Sequence, residues 1–234
     1  MEKNKKINKI LKILKSTYPT ATIALNFSNP LELLIAVILS AQCTDKMVNT
    51  VTDKLFKKYK TLNDYCSASL TEFESDIKST GFYHNKAKNI LETVKILKEK
   101  FGGTVPKTME ELITLKGVAR KTANIVLGNA YKVVVGIPVD THVGRISQRL
   151  RLVDLEKIGG KRTVTFKRKG KEVVDFKKDA DANKIEKELM NEIPQKDWIK
   201  ISYEIIDHGR AICKAVNPKC EICPLSELCP ASRV

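Results

Sequence analysis

The sequence lacks any hydrophobic run long enough to span a membrane. Its longest apolar stretch, residues 31–41, includes Glu32 and Ser40 and falls short of the roughly 18 apolar residues of a transmembrane helix. The basic N-terminus is not followed by the apolar segment of a secretory signal peptide. We therefore expect no membrane partner and a cytoplasmic location.

Acidic residues are few relative to basic ones. The 234 residues include 42 Lys and Arg but only 27 Asp and Glu, which gives a net charge of +15. Such an excess indicates a polyanionic partner, either nucleic acid or an anionic surface. The 42% of hydrophobic residues excludes a disordered chain. The length predicts one large domain or two small ones.

The hydrophobic pattern is helical almost throughout, with residues 31–41 forming a buried helix and Gly81–Asn85 a loop. Only residues 163–176 depart from it, since they are β-branched and aromatic with Gly170 at their centre. This segment predicts a β-hairpin. The chain is therefore predicted to be all-α with one small inserted hairpin.

Residues 115–124, LKGVARKTAN, combine a glycine turn with the start of a helix. The pattern predicts a helix–hairpin–helix motif, whose backbone N–H groups hold a DNA phosphate. An ordinary helical corner is the plainer interpretation. Lys121 falls in the first turn of the second helix, where a lysine can form Schiff bases as a nucleophile or simply pair with phosphate.

Residues 138–142, PVDTH, precede another helix. Asp140 is a candidate catalytic carboxylate and also a favoured N-cap, and both roles can hold at once because a cap uses one carboxylate oxygen. We expect His142 to be a packed histidine rather than a catalytic one.

Four of the six cysteines crowd into the last part of the chain: Cys213, Cys220, Cys223 and Cys229. Four thiolates at this spacing fit either a tetrahedral Zn²⁺ or a [4Fe–4S] cluster. The spacing alone does not separate the two. Cys43 and Cys66 are expected to be buried free thiols.

These motifs occur together in one order: LSAQCTD at 39–45, GFYHNKA at 81–87, the Gly117–Lys121 hairpin, VDTH at 139–142 and the four cysteines. In that combination the chain resembles the endonuclease III family of DNA glycosylases over nearly its whole length, residues 154–183 excepted. The resemblance implies two all-α domains. One is a six-helix domain at 23–134 that carries the hairpin, and the other joins 1–22 to 135–234 and holds a [4Fe–4S] cluster on a C-terminal loop.

The resemblance also implies a function in base-excision repair. The family's activity is that of a bifunctional glycosylase and AP lyase, acting on double-stranded DNA that holds a damaged pyrimidine or an abasic site. A monomer associated with the nucleoid is expected. The alternatives are a mismatch-directed glycosylase and a non-catalytic DNA-binding module. The sister adenine-mismatch glycosylases lack the hairpin lysine and add a C-terminal recognition domain. Since this sequence has Lys121 and runs five residues past Cys229, we expect it not to be one of them.

Site residues follow from the same resemblance. It makes Lys121 the nucleophile and Asp140 the second catalytic group, and makes the four clustered cysteines the cluster ligands. It also makes Gln42 and Phe82 the residues that fill the gap left by a flipped nucleotide. The hairpin motif itself predicts DNA contacts from Gly117, Val118, Ala119 and Arg120. Ligation by the cysteines would fold the loop between them, so that Lys214 and Lys219 can meet phosphates.

The sequence departs from the family pattern at the hairpin turn and at residues 154–183. Lys116 replaces a usual proline and Ala119 a usual glycine, so phosphate binding requires a negative φ at Ala119. The insertion at 154–183 holds six basic residues between Lys161 and Lys171 and no acidic one. It predicts either a solvated surface hairpin or a DNA-contacting arm in which Arg168, Lys169 and Lys171 meet phosphates.

Overall fold

A computed structural model describes residues 2–234 of the chain. Met1, with which the second predicted domain begins, lies outside the described residues. The all-α expectation with one inserted hairpin is confirmed. The α-helices are α1 (Glu2–Thr17), α2 (Pro30–Leu39), α3 (Asp45–Lys58), α4 (Leu62–Ser67), α5 (Leu70–Ile77), α6 (Tyr83–Lys100), α7 (Met109–Leu112), α8 (Arg120–Val126), α9 (Thr141–Leu150), α10 (Ala182–Glu192) and α11 (Trp198–Ala211). None of the helices in this part of the chain is long and apolar enough to cross a membrane.

Short helical turns complete the backbone. They are 3₁₀ turns at Lys78–Thr80, Gln195–Asp197, Cys220–Ile222 and Ser226–Leu228, and a π-helical segment at Leu127–Tyr131 that continues α8. Helix α2 begins with Pro30 behind the cap Asn29, whose side chain accepts the N–H of Glu32 at 3.0 Å. The loop predicted at Gly81–Asn85 is wrong in its second half. There Phe82 takes up a left-handed conformation and α6 begins at Tyr83.

Residues Ile23–Val135 form one compact unit, called here the hairpin unit. Its core centres on α2, in which every residue from Leu33 to Leu39 is buried. Against this helix pack the apolar faces of α3, α6 and α8. A helix that is apolar on all sides has no face for solvent, which explains its central position.

Gly136–Val234 and the chain up to Thr22 form the second compact unit, called here the cysteine unit. Helix α1 contributes a stripe of Ile7, Ile10 and Leu14, buried against α11 and its neighbours. Helix α9 is buried along its length from Val143 to Leu150, although it contains arginines and a glutamine. Polar groups inside that helix must therefore find partners within the unit.

The inserted hairpin consists of β1 (Thr163–Arg168) and β2 (Lys171–Lys177), paired antiparallel. Lys169 and Gly170 form its two-residue turn with φ of 51° and 77°, as a tight hairpin turn requires. Thr165 pairs with Val174 while Val164 pairs with Phe176, so Asp175 has no partner opposite it. Asp175 is thus the extra residue of a β-bulge.

Candidate functional site

The predicted helix–hairpin–helix is present at the junction of α7 and α8. Gly117 has φ of +74°, and a Cβ there would lie 3.1 Å from the Asn89 amide nitrogen, so both conformation and space favour glycine. The turn is tied to α6, because the Thr93 hydroxyl donates to the carbonyl of Lys116 at 3.0 Å. Ala119 has φ of −97°. Phosphate binding required a negative φ at this residue, which replaces the usual glycine, and the structure has it.

Lys121 is the second residue of α8 and its side chain is exposed. Within the hairpin unit, the described residues offer its amine no ion pair or hydrogen bond. Val118, which precedes it in the turn, is buried and donates its N–H to Leu115. The turn is therefore anchored by an apolar side chain while the lysine it presents remains accessible.

Gln42 and Phe82 occupy two loops of the same unit with the same unusual backbone. Their φ values are 53° and 51°, a left-handed conformation that non-glycine residues adopt only where the surroundings impose it. Both side chains are exposed, and Phe82 retains 64% of its surface. Leaving an aromatic ring in water is costly unless a partner covers it.

Lys86 connects these two loops. Its ammonium group is buried and donates to the carbonyl of Leu39 and to that of Thr80, each at 2.8 Å. Leu39 ends α2 just before Gln42, and Thr80 precedes Phe82 by two residues. Burial lowers the pKa of Lys86. The sequence analysis did not single out Lys86. Its position among the apolar residues of α6 was the one sign that its charge would be buried.

Asp140 is the N-cap of α9 in the cysteine unit. Its Oδ1 atom accepts the N–H of Val143 at 2.7 Å, and its carbonyl accepts the N–H of Gly144 at 2.8 Å. The described residues of that unit make no hydrogen bond to Oδ2, and the side chain is half-buried. The cap predicted for Asp140 is confirmed, and it leaves one carboxylate oxygen available.

His142 is packed, as predicted. A Cβ on Gly209 would come within 2.4 Å of its Nδ1 atom, so α11 approaches the imidazole at a glycine. Burial lowers the pKa of His142. The charge of Asp140 opposes this shift, whereas the charges of Arg145 and Arg210 add to it. The Nη2 atom of Arg145 lies 3.4 Å from His142 Nδ1 and donates to the Cys213 carbonyl at 2.8 Å.

The four clustered cysteines line one pocket after α11, together with His208 and Arg149. Burial raises the pKa of the Cys223 thiol, and it raises that of Cys229 to about 11. A metal must therefore displace protons from these thiols to bind them. Within residues 2–234, no three His, Cys, Asp or Glu side chains are placed to hold a single metal ion.

This donor set fits a polynuclear cluster. Four sulfur ligands around one pocket suit a [4Fe–4S] cubane, in which each thiolate binds a different iron and the sulfurs stand apart. A single Zn²⁺ requires all four sulfurs about 2.3 Å from one point. Cys43 and Cys66 are free, as predicted, but each is only half-buried.

Lys214 and Lys219 lie in the loop between the first two clustered cysteines, residues 213–220, called here the cysteine loop, and both side chains are exposed. The N–H of Lys214 and that of Lys219 both donate to the Ile212 carbonyl, at 3.0 and 3.1 Å. This carbonyl draws the two ends of the loop together. The two lysines thus lie at the two ends of one short exposed loop.

Comparison with known proteins identifies the chain. A model described as HhH-GPD superfamily base excision DNA repair protein matches residues 35–174, more than half of the sequence. A curated relative, endonuclease III of Synechocystis sp., is 46% identical over 99% of this chain and 94% of its own length. The chain belongs to the endonuclease III family. The resemblance read from the motifs is confirmed.

Two solved endonuclease III structures also resemble this chain. One is a non-covalent complex with DNA and the other a trapped covalent intermediate with DNA. Each has a TM-score of 0.85 and 40% identity and covers 98% of this chain; the chain covers 96% and 97% of them. The iron–sulfur binding domain of endonuclease III matches residues 213–229, which span the four cysteines. As a member of this family the chain carries a [4Fe–4S] cluster.

Proposed function

We propose that this chain is a bifunctional DNA glycosylase and AP lyase of base-excision repair, which removes damaged pyrimidines from double-stranded DNA. The observation that carries the proposal is the placement of Lys121. A tight glycine turn, anchored to α6, presents this exposed lysine in the first turn of α8. An endonuclease III relative has been trapped covalently on DNA, which supports a nucleophile of this kind.

The chemistry proposed for Lys121 begins when the damaged nucleotide leaves the base stack. The neutral amine attacks C1′ of the sugar, and the bond from C1′ to the base breaks as the base departs with the electron pair. The base takes up a proton from solvent as it leaves. The attached nitrogen loses a proton and the C1′–O4′ bond then breaks, with O4′ taking up a proton, which leaves an iminium that links Lys121 to the opened sugar. Loss of a proton from C2′ then expels the 3′ phosphate by β-elimination, and water hydrolyses the imine to release the enzyme.

For Asp140 we propose a role as the second catalytic group. Its Oδ1 atom is committed to the cap of α9, which holds the carboxylate in one orientation. The Oδ2 atom can accept a proton from the attacking amine or stabilise positive charge on the sugar. The helix cap at Oδ1 therefore fixes the orientation that the proposed catalytic role of Oδ2 requires.

DNA binding rests on three groups of residues. The backbone of Gly117, Val118, Ala119 and Arg120 is proposed to hold a phosphate, as in the helix–hairpin–helix motif. Gln42 and Phe82 are proposed to enter the stack where the nucleotide has left it. Lys214 and Lys219 add phosphate contacts from the cysteine loop.

Cys213, Cys220, Cys223 and Cys229 are the proposed ligands of the cluster. When bound, the cluster supplies a cross-link that orders the loop holding Lys214 and Lys219. A monomeric state and a nucleoid-associated location remain proposals from the sequence. A mismatch-directed glycosylase and a non-catalytic module are not favoured, since the Synechocystis relative and the two solved DNA complexes are endonuclease III proteins.

Covalent trapping on DNA tests the proposal. Reduction with borohydride in the presence of abasic DNA converts the imine into a stable cross-link. We expect Lys121→Gln to abolish the cross-linked band while Lys116→Gln, which changes an exposed lysine of the same turn, preserves it. A cross-link of normal yield in Lys121→Gln would assign the nucleophile elsewhere. No cross-link in the unaltered protein would favour a non-catalytic module.

A further inference from the structure

The β-bulge of the inserted hairpin directs two consecutive side chains toward the protein. In a regular strand, neighbouring side chains alternate between faces. Because Asp175 is the extra residue of the bulge, it turns inward together with Phe176, and bulges commonly re-aim a side chain in this way. Asp175 is 1% exposed, although it belongs to a two-stranded hairpin near the surface.

The buried carboxylate of Asp175 pairs with Arg149 of α9. Arg149 is 2% exposed and donates Nε to Oδ1 at 2.7 Å and Nη2 to Oδ2 at 2.8 Å. Arg233, near the end of the described chain, adds a third bond to Oδ2 at 3.1 Å. The desolvation free energy of two buried charges is offset only when their geometry is good and their remaining polar atoms are hydrogen-bonded.

The other side of the Arg149 guanidinium contacts the cysteine loop. Its Nη1 atom lies 3.3 Å from the Cys213 sulfur and donates to the Lys214 carbonyl at 2.7 Å. Its Nη2 atom donates to the Ala215 carbonyl at 3.0 Å. One arginine therefore joins the hairpin to the first proposed cluster ligand and the two residues that follow. Its orientation depends on Asp175, the only acidic side chain bonded to it among the described residues.

Further bonds fasten the hairpin to the cysteine unit. The Gln148 amide accepts the N–H of Lys177 at 2.8 Å and donates to the Lys177 carbonyl at 3.3 Å. Near the turn, Arg168 donates to the Ser232 carbonyl at 2.8 Å. Arg168 is thus engaged within the protein, which argues against its predicted place among phosphate-binding side chains. Lys169 and Lys171 remain exposed.

We propose that the hairpin protects the iron–sulfur site and is not a DNA-binding arm. Asp175 is its positioning residue, because it holds Arg149 against the Cys213–Ala215 segment and so slows loss of the cluster. This inference goes beyond the glycosylase activity and does not depend on it. It assigns to the insertion a function in this chain that neither interpretation from the sequence provided.

The test follows the visible absorbance of the cluster in the holoprotein during exposure to an iron chelator and oxidant. We expect Asp175→Asn to lose the cluster at least about tenfold faster than the unaltered protein, the equivalent of about 1.4 kcal/mol. Glu172→Gln is the matched control on the same strand, since its exposed side chain bonds only Thr165 among the described residues, and it should lose the cluster at the unaltered rate. Equal rates in both variants would overturn the proposal.

A second variant separates positioning of the loop from folding of the unit. The double variant Arg149→Met with Asp175→Leu removes both charges of the pair, but it also leaves the Lys214 and Ala215 carbonyls and the Arg233 guanidinium without this partner. We therefore expect it to melt at a lower temperature than the unaltered protein, to remain folded at the assay temperature by circular dichroism, and still to lose the cluster rapidly. If the double variant keeps its cluster as long as the unaltered protein, the pair serves the fold alone and the proposal fails.

The salt dependence of DNA binding addresses the rival function. Each lysine that contacts a phosphate contributes about 0.9 to the slope of log K against log salt concentration. We expect Lys169→Ala with Lys171→Ala to leave this slope unchanged, whereas Lys214→Ala with Lys219→Ala flattens it. A flatter slope in the hairpin variant would show a DNA-binding arm and contradict the proposal. Neither result bears on covalent trapping through Lys121.

Discussion

At the scale of single residues, Asp140 shows how a structural and a proposed chemical role can share one side chain. The cap at Oδ1 fixes the carboxylate by a 2.7 Å bond to the Val143 N–H. Oδ2 accepts no hydrogen bond from the described residues of the cysteine unit. Asparagine caps a helix as well as aspartate does, so the two roles can be separated by one substitution.

We expect Asp140→Asn to lower turnover by at least about 100-fold, the usual scale of general acid–base assistance. Thermal unfolding should remain close to that of the unaltered protein, because the amide oxygen still accepts the Val143 N–H. Single-turnover excision and a melting curve measure the two effects. The matched control is Asp181→Asn, which alters the N-cap of α10 and should affect neither. Full activity in Asp140→Asn would leave Asp140 as a cap only.

At the scale of elements, α6 organises the surface that we propose to enter the DNA stack. Its residue Lys86 ties together the end of α2 and the turn before Phe82 through two carbonyls. Both loops contain a left-handed non-glycine residue, a conformation that costs about 1–3 kcal/mol and persists only under outside constraint. Lys86 provides such a constraint from the interior.

Lys86→Met should therefore relax both loops and leave the two carbonyls unsatisfied, at a cost of about 1–3 kcal/mol each. Binding to duplex DNA with a stable abasic analogue should weaken about tenfold, as measured by fluorescence anisotropy. Trapping at saturating enzyme should persist, because Lys121 lies on another helix. Lys88→Met, which alters an exposed residue of α6, is the control. Unaltered affinity in Lys86→Met would show that these two loops do not contribute to DNA binding.

At the scale of the whole molecule, the chain forms two units with separate hydrophobic cores. The single tryptophan, Trp198, is in the cysteine unit and donates to the Ile193 carbonyl at 2.8 Å. The hairpin unit contains an aromatic group in which Tyr59 stacks on Tyr65 at 4.9 Å and meets Phe73 at 5.5 Å. Trp198 fluorescence therefore reports on the cysteine unit, and amide exchange in α2, where Leu33–Leu39 are buried, reports on the hairpin unit.

Removal of the cluster should affect these signals unequally. Bound metal contributes directly to folding free energy where its ligands are free thiols without it. After oxidative removal, we expect Trp198 fluorescence to change at lower denaturant concentration, while the protection of the α2 amides from hydrogen exchange keeps its midpoint. The unaltered holoprotein is the reference. Equal shifts of both signals would mean that the cluster stabilises the molecule as a whole.

Much of the fold and the candidate site could be read from local sequence. Helix α2, the caps at Asn29 and Asp140, the glycine turn at Gly117 and the hairpin turn at Gly170 follow from short-range rules of periodicity, capping and φ. Family membership and the iron–sulfur cofactor followed from the order and spacing of motifs. The catalytic roles of Lys121 and Asp140 stay predictions.

The sequence by itself determined which chemistry-bearing residues the protein has and which element each occupies, because those properties depend on near neighbours along the chain. Only the tertiary structure decided what the buried charges do. Lys86 reaches a carbonyl 47 residues away, and Arg149 reaches Cys213 across 64 residues. A buried charge is stable only where folding supplies its partners, and no local pattern specifies partners so distant. For that reason six basic residues in the insertion suggested a DNA contact, whereas its single buried acid, Asp175, fastens it beside the cysteines.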